Sequence, residues 1–185
     1  MKTSTQRILV FKTPRLFLRE WKKSDWRNVF EYSRLEKTCR FMPWGPNNIH
    51  QTKAFLGHAI SLNNQKPRTS FEFAITLRSN NRLIGGCGIR LKDPKQAVAD
   101  MGYCLHPDDW GKGYGTETGE ELLRIGFRRL KAHRIWATCD KRNTKSKNVL
   151  QKIGMKKEGI LREHLLIKGR WRSSCLYSIL STDRK

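Results

Sequence analysis

The stretch HPDDWGKGYGTETGEELL, His106 to Leu123, constrains this chain more than any other. It sets Gly111, Gly113, Gly115 and Gly119 around Lys112, then passes at once into a helical pattern with Leu122, Leu123, Ile125 and Phe127 on one side. Just before it, VADMGYCL (Val98–Leu105) reads as a strand. A strand that turns through glycines into a helix aims several backbone N–H groups at one point, and the helix dipole adds positive charge there. Glycine also tolerates positive φ and lets a phosphate approach the main chain. The segment therefore predicts a strand–loop–helix unit that holds an anion.

Two nucleotide loops are excluded. A Walker A loop needs Ser or Thr after its Lys, but Gly113 follows Lys112. A dinucleotide loop counted from Gly111 needs Gly or Ala at position 116, where Thr116 stands.

The remaining chain supplies a sheet for this unit. RLFLREW (Arg15–Trp21) alternates as a first strand, and Ser24 is expected to cap a helix carrying Trp26, Val29 and Phe30. After the break FMPWGPNN (Phe41–Asn48), a second helix near Ile49–Leu62 turns Phe55, Leu56, Ala59 and Ile60 inward. SFEFAITL (Ser70–Leu77), RLIGGCGIRL (Arg82–Leu91) and Val98–Leu105 have short connections and form an antiparallel meander. A helix over Thr116–Leu130 leads to RIWATCD (Arg134–Asp140), parallel to Val98–Leu105 across the crossover. A short helix over Ser146–Ile153 and a hairpin turning at Lys168–Gly169 close the chain. The fold class expected is a mixed α/β sheet flanked by helices, one domain over residues 1–185 with its core about 13–180.

Composition narrows the function. Thirty-eight Lys plus Arg against sixteen Asp plus Glu give a net charge of +22, which favours anionic partners and disfavours polycationic substrates. Whether this basic surface serves ribosome or RNA association or is only solvated charge stays open at this level. Cys39, Cys87, Cys104, Cys139 and Cys175 are scattered, odd in number and never paired as CxxC, so reduced core thiols are expected. The five histidines show no ligand spacing, and no metal is expected. No apolar run is long enough to span a membrane, and MKTSTQRILVFKTPRLFL lacks the apolar core of a signal peptide; a cytoplasmic protein is expected.

The ordered motifs together resemble the GNAT superfamily of N-acetyltransferases. Trp110-Gly111-Lys112-Gly113-Tyr114-Gly115, followed by Thr116 and Glu117, is similar to that family's pyrophosphate loop, with Trp110 in place of the leading Gln or Arg. This variant resembles the Rim-type branch, which acetylates ribosomal-protein N-termini. TPRLFLREWKKSD, LIGGCGI and ADMGYCLHPDDWGKG are similar to its opening strand, its second core strand and its acceptor strand. Asn143, Ser146, Val149, Leu150, Lys152, Gly154 and Met155 match its NxxSxxVLxKxGF segment, with Met155 replacing the aromatic. The final hairpin has Ser173 where relatives often carry Asp.

The resemblance implies a mostly antiparallel sheet with splayed fourth and fifth strands, and acetyl-CoA as donor. It implies pyrophosphate binding by the backbone of Gly111–Thr116, pantetheine pairing near Tyr103, Cys104 and Leu105, a pantetheine contact from Asn143, and Asn148 near the phosphates. Lys112, Arg142, Lys145 and Lys147 are candidates for the ribose phosphate or are solvated charge. Asp100 is nominated as general base with Glu72 in reserve, and Ser146 as proton donor to the departing thiolate, with Tyr177 as alternative. Cys104 lacks an activating base and is not read as a nucleophile. The expected activity is direct acetylation of a primary amine, foremost a protein N-terminal α-amine. A small-molecule amine acetyltransferase and a weakly catalytic acetyl-CoA- or RNA-binding protein are the alternatives. Monomer and homodimer both remain open.

Overall fold

The computed structural model describes residues 9–183. The first residues of the N-terminal stretch considered above as a leader lie outside that range. Eight strands form one sheet: β1 Val10–Lys12, β2 Leu16–Glu20, β3 Ser70–Leu77, β4 Leu83–Asp93, β5 Val98–Leu105, β6 Arg134–Asp140, β7 Lys156–Ile167 and β8 Arg170–Leu180. Their order is β1-β2-β3-β4-β5-β6-β8-β7. Every neighbouring pair is antiparallel except β5 and β6, as the helical crossover between them requires. The helices are α1 Trp26–Ser33, α2 Glu36–Cys39, α3 Ile49–Asn63, α4 Tyr114–Arg128 and α5 Thr144–Lys152.

The mixed sheet and the meander agree with expectation. On β3, Phe71, Phe73, Ile75 and Leu77 join the main core with Leu16 and Leu18 of β2, Ile84 and Ile89 of β4, and Leu122, Leu123 and Ile125 of α4. A smaller cluster on the opposite face gathers Trp21, Val29, Tyr32, Leu56, Ala59 and Ala74 under α1 and α3. The closing hairpin turns at Lys168 and Gly169, with φ of 50° and 71°.

The local readings need three corrections. β1 was not anticipated: three residues are too few to show a period in sequence, and pairing of Val10, Phe11 and Lys12 with Arg19, Leu18 and Phe17 makes them a strand. Ser24 does not cap α1; it lies in a 3₁₀ turn, Lys23–Asp25, and the buried Asp25 instead takes the Lys22 amide at 2.8 Å and the Arg19 guanidinium at 2.8 Å. Phe55 is 40% exposed rather than inward, with its ring edge-on to Trp21 at 5.7 Å.

The feature that matters for function lies between β5 and β6. They pair only at Val98–Arg134, Ala99–Ile135 and Asp100–Trp136. Beyond Asp100 they diverge, while β6 stays paired with β8 down to Asp140. The edges of Met101–Leu105 and Ala137–Asp140 that face each other therefore have no strand partner, and a gap opens through the sheet.

Candidate active site

The glycine loop stands beside this gap. Gly111 and Gly113 have φ of 80° and 82°, and Gly113 caps α4 in the left-handed conformation. Among the described residues, no amide from Gly111 to Thr116 donates to a loop carbonyl or a side chain. These are the orphan donors of a helix start, and a Cβ at Gly111 would meet nothing within 4 Å. The cradle is open and electropositive.

Three ties hold it in place. The Trp110 indole donates to the Leu105 carbonyl at 2.9 Å, and its ring lies 5.5 Å from Lys37 Nζ and 4.9 Å from Lys145 Nζ. Asp109, 1% exposed, takes Arg82 in a bidentate pair at 2.7 and 2.9 Å and Lys112 at 3.4 Å. Burial pushes the Asp109 carboxyl upward, but Arg82 and Lys112 outweigh it and hold the group below its ordinary range. Glu117 accepts from Thr13 Oγ1 at 2.6 Å and from the amide and Nε of Arg15 at 2.7 Å, while Arg15 Nη1 donates to the Lys112 carbonyl at 2.9 Å. The loop is thus clamped to the β1–β2 turn by residues remote in sequence.

At the gap, the Ser146 hydroxyl lies near the Tyr103 hydroxyl and the Cys139 thiol and works against the rise of each. Asn143 caps α5 by accepting the Ser146 amide at 3.1 Å, which fixes the serine at the helix start. The Tyr103 ring packs on Gly115, where a Cβ would come within 3.2 Å of it. Burial raises Tyr103 to about 12, Cys104 to about 12 and Cys139 to about 11. Neither cysteine is a thiolate near neutrality.

On the opposite face, Glu72 of β3, Arg90 of β4 and Asp100 of β5 form a row. Arg90 Nε meets Glu72 Oε1 at 2.6 Å, and Arg90 Nη1 meets Asp100 Oδ2 at 3.3 Å. Lys92 approaches Asp100 at 3.8 Å. The Glu72 backbone is clamped by Asn63 at the end of α3, which accepts the Glu72 amide at 3.1 Å and donates to its carbonyl at 3.0 Å. Its carboxyl lies across Gly88, where a Cβ would fall 2.7 Å from the carboxyl carbon. Gly88 sits directly opposite Gly102 of β5, and a Cβ at Gly102 would meet nothing within 4 Å. The two glycines make a bare window beside the carboxylate. Burial raises the Glu72 carboxyl above its ordinary value, against the opposing pull of Arg90.

A cleft of about 780 Å³ joins these parts through the sheet. Glu72, Arg90, Gly88 and Gly102 line one end; Tyr103, Asn143, Ser146 and Leu150 line the other; Ala137–Asp140 line the passage. Trp21, Tyr32, Phe41, Trp44 and Phe55 wall the Glu72 end. Of the residues singled out from sequence, Glu72, Ser146, Tyr103, Cys104 and Asn143 line the cleft. Asp100 is not among its lining residues and is engaged by Arg90 and Lys92. Asn148 is exposed on α5 away from the cleft, and Tyr177 is buried in the main core. Sequence reading missed Arg90, Asn63 and the Gly88–Gly102 window. The available signal was parity: Glu72, Arg90 and Asp100 each alternate with core residues, so the antiparallel order puts them on one face.

The comparisons with known proteins agree with this geometry. The family described as acetyltransferase (GNAT) domain matches residues 15–156. The chain is 30% identical over 171 residues to the uncharacterized N-acetyltransferase YnaD of Bacillus subtilis, covering 92% of this chain and 96% of that protein. It is 32% identical over 83 residues to the ribosomal protein uS5-alanine N-acetyltransferase of Escherichia coli, covering 45% of this chain and 43% of that one. Among solved structures, the ribosomal L7/L12 α-N-protein acetyltransferase RimL in complex with coenzyme A superposes with a TM-score of 0.82 at 17% identity, covering 93% of this chain and 98% of that one. With a full-length relative, a matching domain and a clefted sheet of the same architecture, the chain belongs to the GNAT family of acetyltransferases and resembles its Rim-type branch.

Proposed function

We propose that this acetyltransferase transfers the acetyl group of acetyl-CoA directly to a protein N-terminal α-amine, in a cytosolic setting. The observation that carries the reading is a single cleft, open through the sheet, with the carboxylate of Glu72 at one end and the hydroxyls of Ser146 and Tyr103 at the other. The residues present fit acetyl-CoA: orphan amides from Gly111 to Thr116 suit its pyrophosphate, and the unpaired edges of β5 and β6 suit the amides of its pantetheine arm. Lys37 and Lys145, stacked on Trp110, add positive charge at the loop. When bound, acetyl-CoA supplies an activated thioester.

The chain's own residues then have two proton tasks. Glu72 takes the proton of the incoming ammonium, directly or through water; burial makes its carboxylate a stronger base than an exposed glutamate. Asp100 is assigned a supporting role, holding Arg90 from the far side. Ser146 donates a proton to the departing sulfur, with the Tyr103 hydroxyl as its neighbour at the gap. The high values of Cys104 and Cys139 disfavour a cysteinyl intermediate, so attack is direct.

Acceptor basicity supports an α-amine. With a pKa of about 7.7–8.0 it is appreciably neutral near pH 7.5, whereas a lysine amine at about 10.4 is neutral in roughly one molecule per thousand. The relative that acetylates an alanine of ribosomal protein uS5 points to the same class. Incubation with acetyl-CoA and a panel of unblocked peptides, read by mass spectrometry, should give one acetyl on the α-amine. Modification confined to lysine side chains or to small amines rejects the proposal.

A further inference from the structure

The β7–β8 hairpin lies beside the cleft, linked to it through Arg172 and the lining residue Asp140, and carries a surface that the acetyl transfer itself does not use. Asp140, which lines the cleft, is gripped by Arg142 at 2.8 Å and by Arg172 of β8 at 3.4 Å. The Arg142 guanidinium in turn lies 5.7 Å from the ring of Phe41, another lining residue. Burial raises the Cys39 thiol of α2 above its ordinary value, and the charge of Lys168 at the hairpin tip opposes that rise. Hairpin, Lys141–Arg142 turn and the 41–48 loop therefore share one rim.

That rim is basic and partly apolar. Lys141, Arg162, Lys168 and Arg170 are exposed, and Glu163 is the one acidic residue from Leu161 to Arg172. Leu166 and Trp171 stand directly opposite each other across the two strands, yet are 58% and 60% exposed. An apolar cross-strand pair left in water is a recognition feature more than a stabilising one. β7 is also the outermost strand of the sheet, so its outer edge offers backbone donors and acceptors that no neighbouring strand takes.

We propose that the β7–β8 hairpin and the adjoining Lys141–Arg142 turn are a docking surface for an acidic polypeptide segment lying just behind the amine that enters the cleft. The reading rests on the N-terminal acceptor proposed above and names its class: protein N-termini followed within a few residues by Glu and Asp. Charge complementarity supplies the attraction, Trp171 and Leu166 receive an apolar side chain, and the β7 edge admits an extended main chain. A nucleic acid fits less well. Its binding surfaces use several aromatic platforms, whereas the hairpin offers one ring beside an aliphatic partner, and a free strand edge has nothing to pair with in a phosphate backbone.

The test uses two peptides with identical first residues, one continuing with Glu and Asp, the other with Gln and Asn. At low salt the acidic peptide should show a KM lower by about tenfold with kcat little changed, and the difference should shrink as salt screens it. The double variant Lys168→Glu, Arg170→Glu should erase the difference, and Trp171→Ala should reduce it, with melting temperature and acetyl-CoA affinity unchanged. A fluorescent acidic peptide whose N-terminus is already acetylated reads docking by anisotropy without turnover. If every peptide fails as acceptor while this blocked peptide still binds the hairpin, the N-terminal reading falls and the docking surface stands. Equal KM for both peptides, or anisotropy unaffected by the double variant, overturns the docking surface. Binding of an oligouridylate that is lost in the double variant, with no preference for the acidic peptide, overturns it in favour of nucleic acid.

Discussion

On the side of α4 and α5, next to the cleft and touching its lining residue Tyr103 through Gly115, stands a loop that presents consecutive main-chain amides, Gly111 to Thr116, clamped from outside by Arg82–Asp109 and Arg15–Glu117. On the side of α1 and α3, the cleft is bounded by Trp21 and by side chains from α1, the 41–48 loop, α3, β3 and β4, assembled around one buried carboxylate. On the proposed function, the first half recognises a phosphate by main-chain geometry, which tolerates almost any side chain that keeps the glycines. On the same proposal, the second half recognises and activates an amine by side chains, each dependent on strand register. Donor binding and acceptor chemistry should therefore be separable by mutation, and each prediction below probes that separation.

The largest effect is expected at Glu72. Glu72→Gln should lower kcat/KM for the peptide by about 10²–10⁴-fold in steady-state kinetics while leaving acetyl-CoA affinity intact by calorimetry. Asp100→Asn should cost less than about tenfold, since Asp100 acts through Arg90. The reverse ranking would move the base to Asp100.

Next comes the donor half. Valine at position 113 would have to adopt a left-handed backbone, a strain of about 1–3 kcal/mol, so Gly113→Val should weaken acetyl-CoA binding by roughly ten- to hundredfold. The pH dependence of the remaining turnover should not move, because the acceptor half is untouched. A shifted profile would show that the halves are coupled.

A smaller loss is expected where the halves meet. Ser146→Ala should reduce kcat by about tenfold, most visibly with poor leaving thiols, and Tyr103→Phe should reduce it less. If Tyr103 acts by orienting Ser146, the two changes combined should cost little more than Ser146→Ala alone.

The subtlest test is a displacement along the pH axis. Burial raises the Glu72 carboxyl and Arg90 opposes that rise. With Glu72 as the proposed base, activity requires the carboxylate, so the rate should fall as pH drops through its value. Arg90→Met removes the opposing charge and should move this acid limb to higher pH, with Arg90→Lys lying between. A limb that stays in place, or moves down, excludes Glu72 as its source.

The same contrast explains how much was legible in sequence. The loop announced itself because its chemistry lies in contiguous glycines whose spacing encodes φ and amide direction. The splay followed from family resemblance alone; the crossover announced only that β5 and β6 run parallel. The acceptor half was legible only as a set of residues: Glu72 and Asp100 were both candidates, but their ranking depended on Arg90 lying between them and on the Gly88–Gly102 window, which only the registers β3–β4 and β4–β5 create. Asn63 reveals nothing in sequence about its clamp on Glu72, because both hydrogen bonds go to main chain. Ser24 and Phe55 were misread for a related reason. A buried Asp25–Arg19 pair took over the helix start, and the aromatic wall of the cleft leaves Phe55 partly in solvent.

The central claim is that an acetyl donor held at the glycine loop and an amine held beside Glu72 meet through the gap between β5 and β6. A crystal structure with a bisubstrate ligand, coenzyme A joined through an acetyl bridge to the α-nitrogen of a peptide, tests it directly. The pyrophosphate should lie on the amides of Gly111–Thr116, the bridge in the gap, and the joined nitrogen within hydrogen-bond reach of Glu72 or of one water bound to it. A nitrogen on the other face of the sheet, or one closer to Asp100 than to Glu72, would contradict the account.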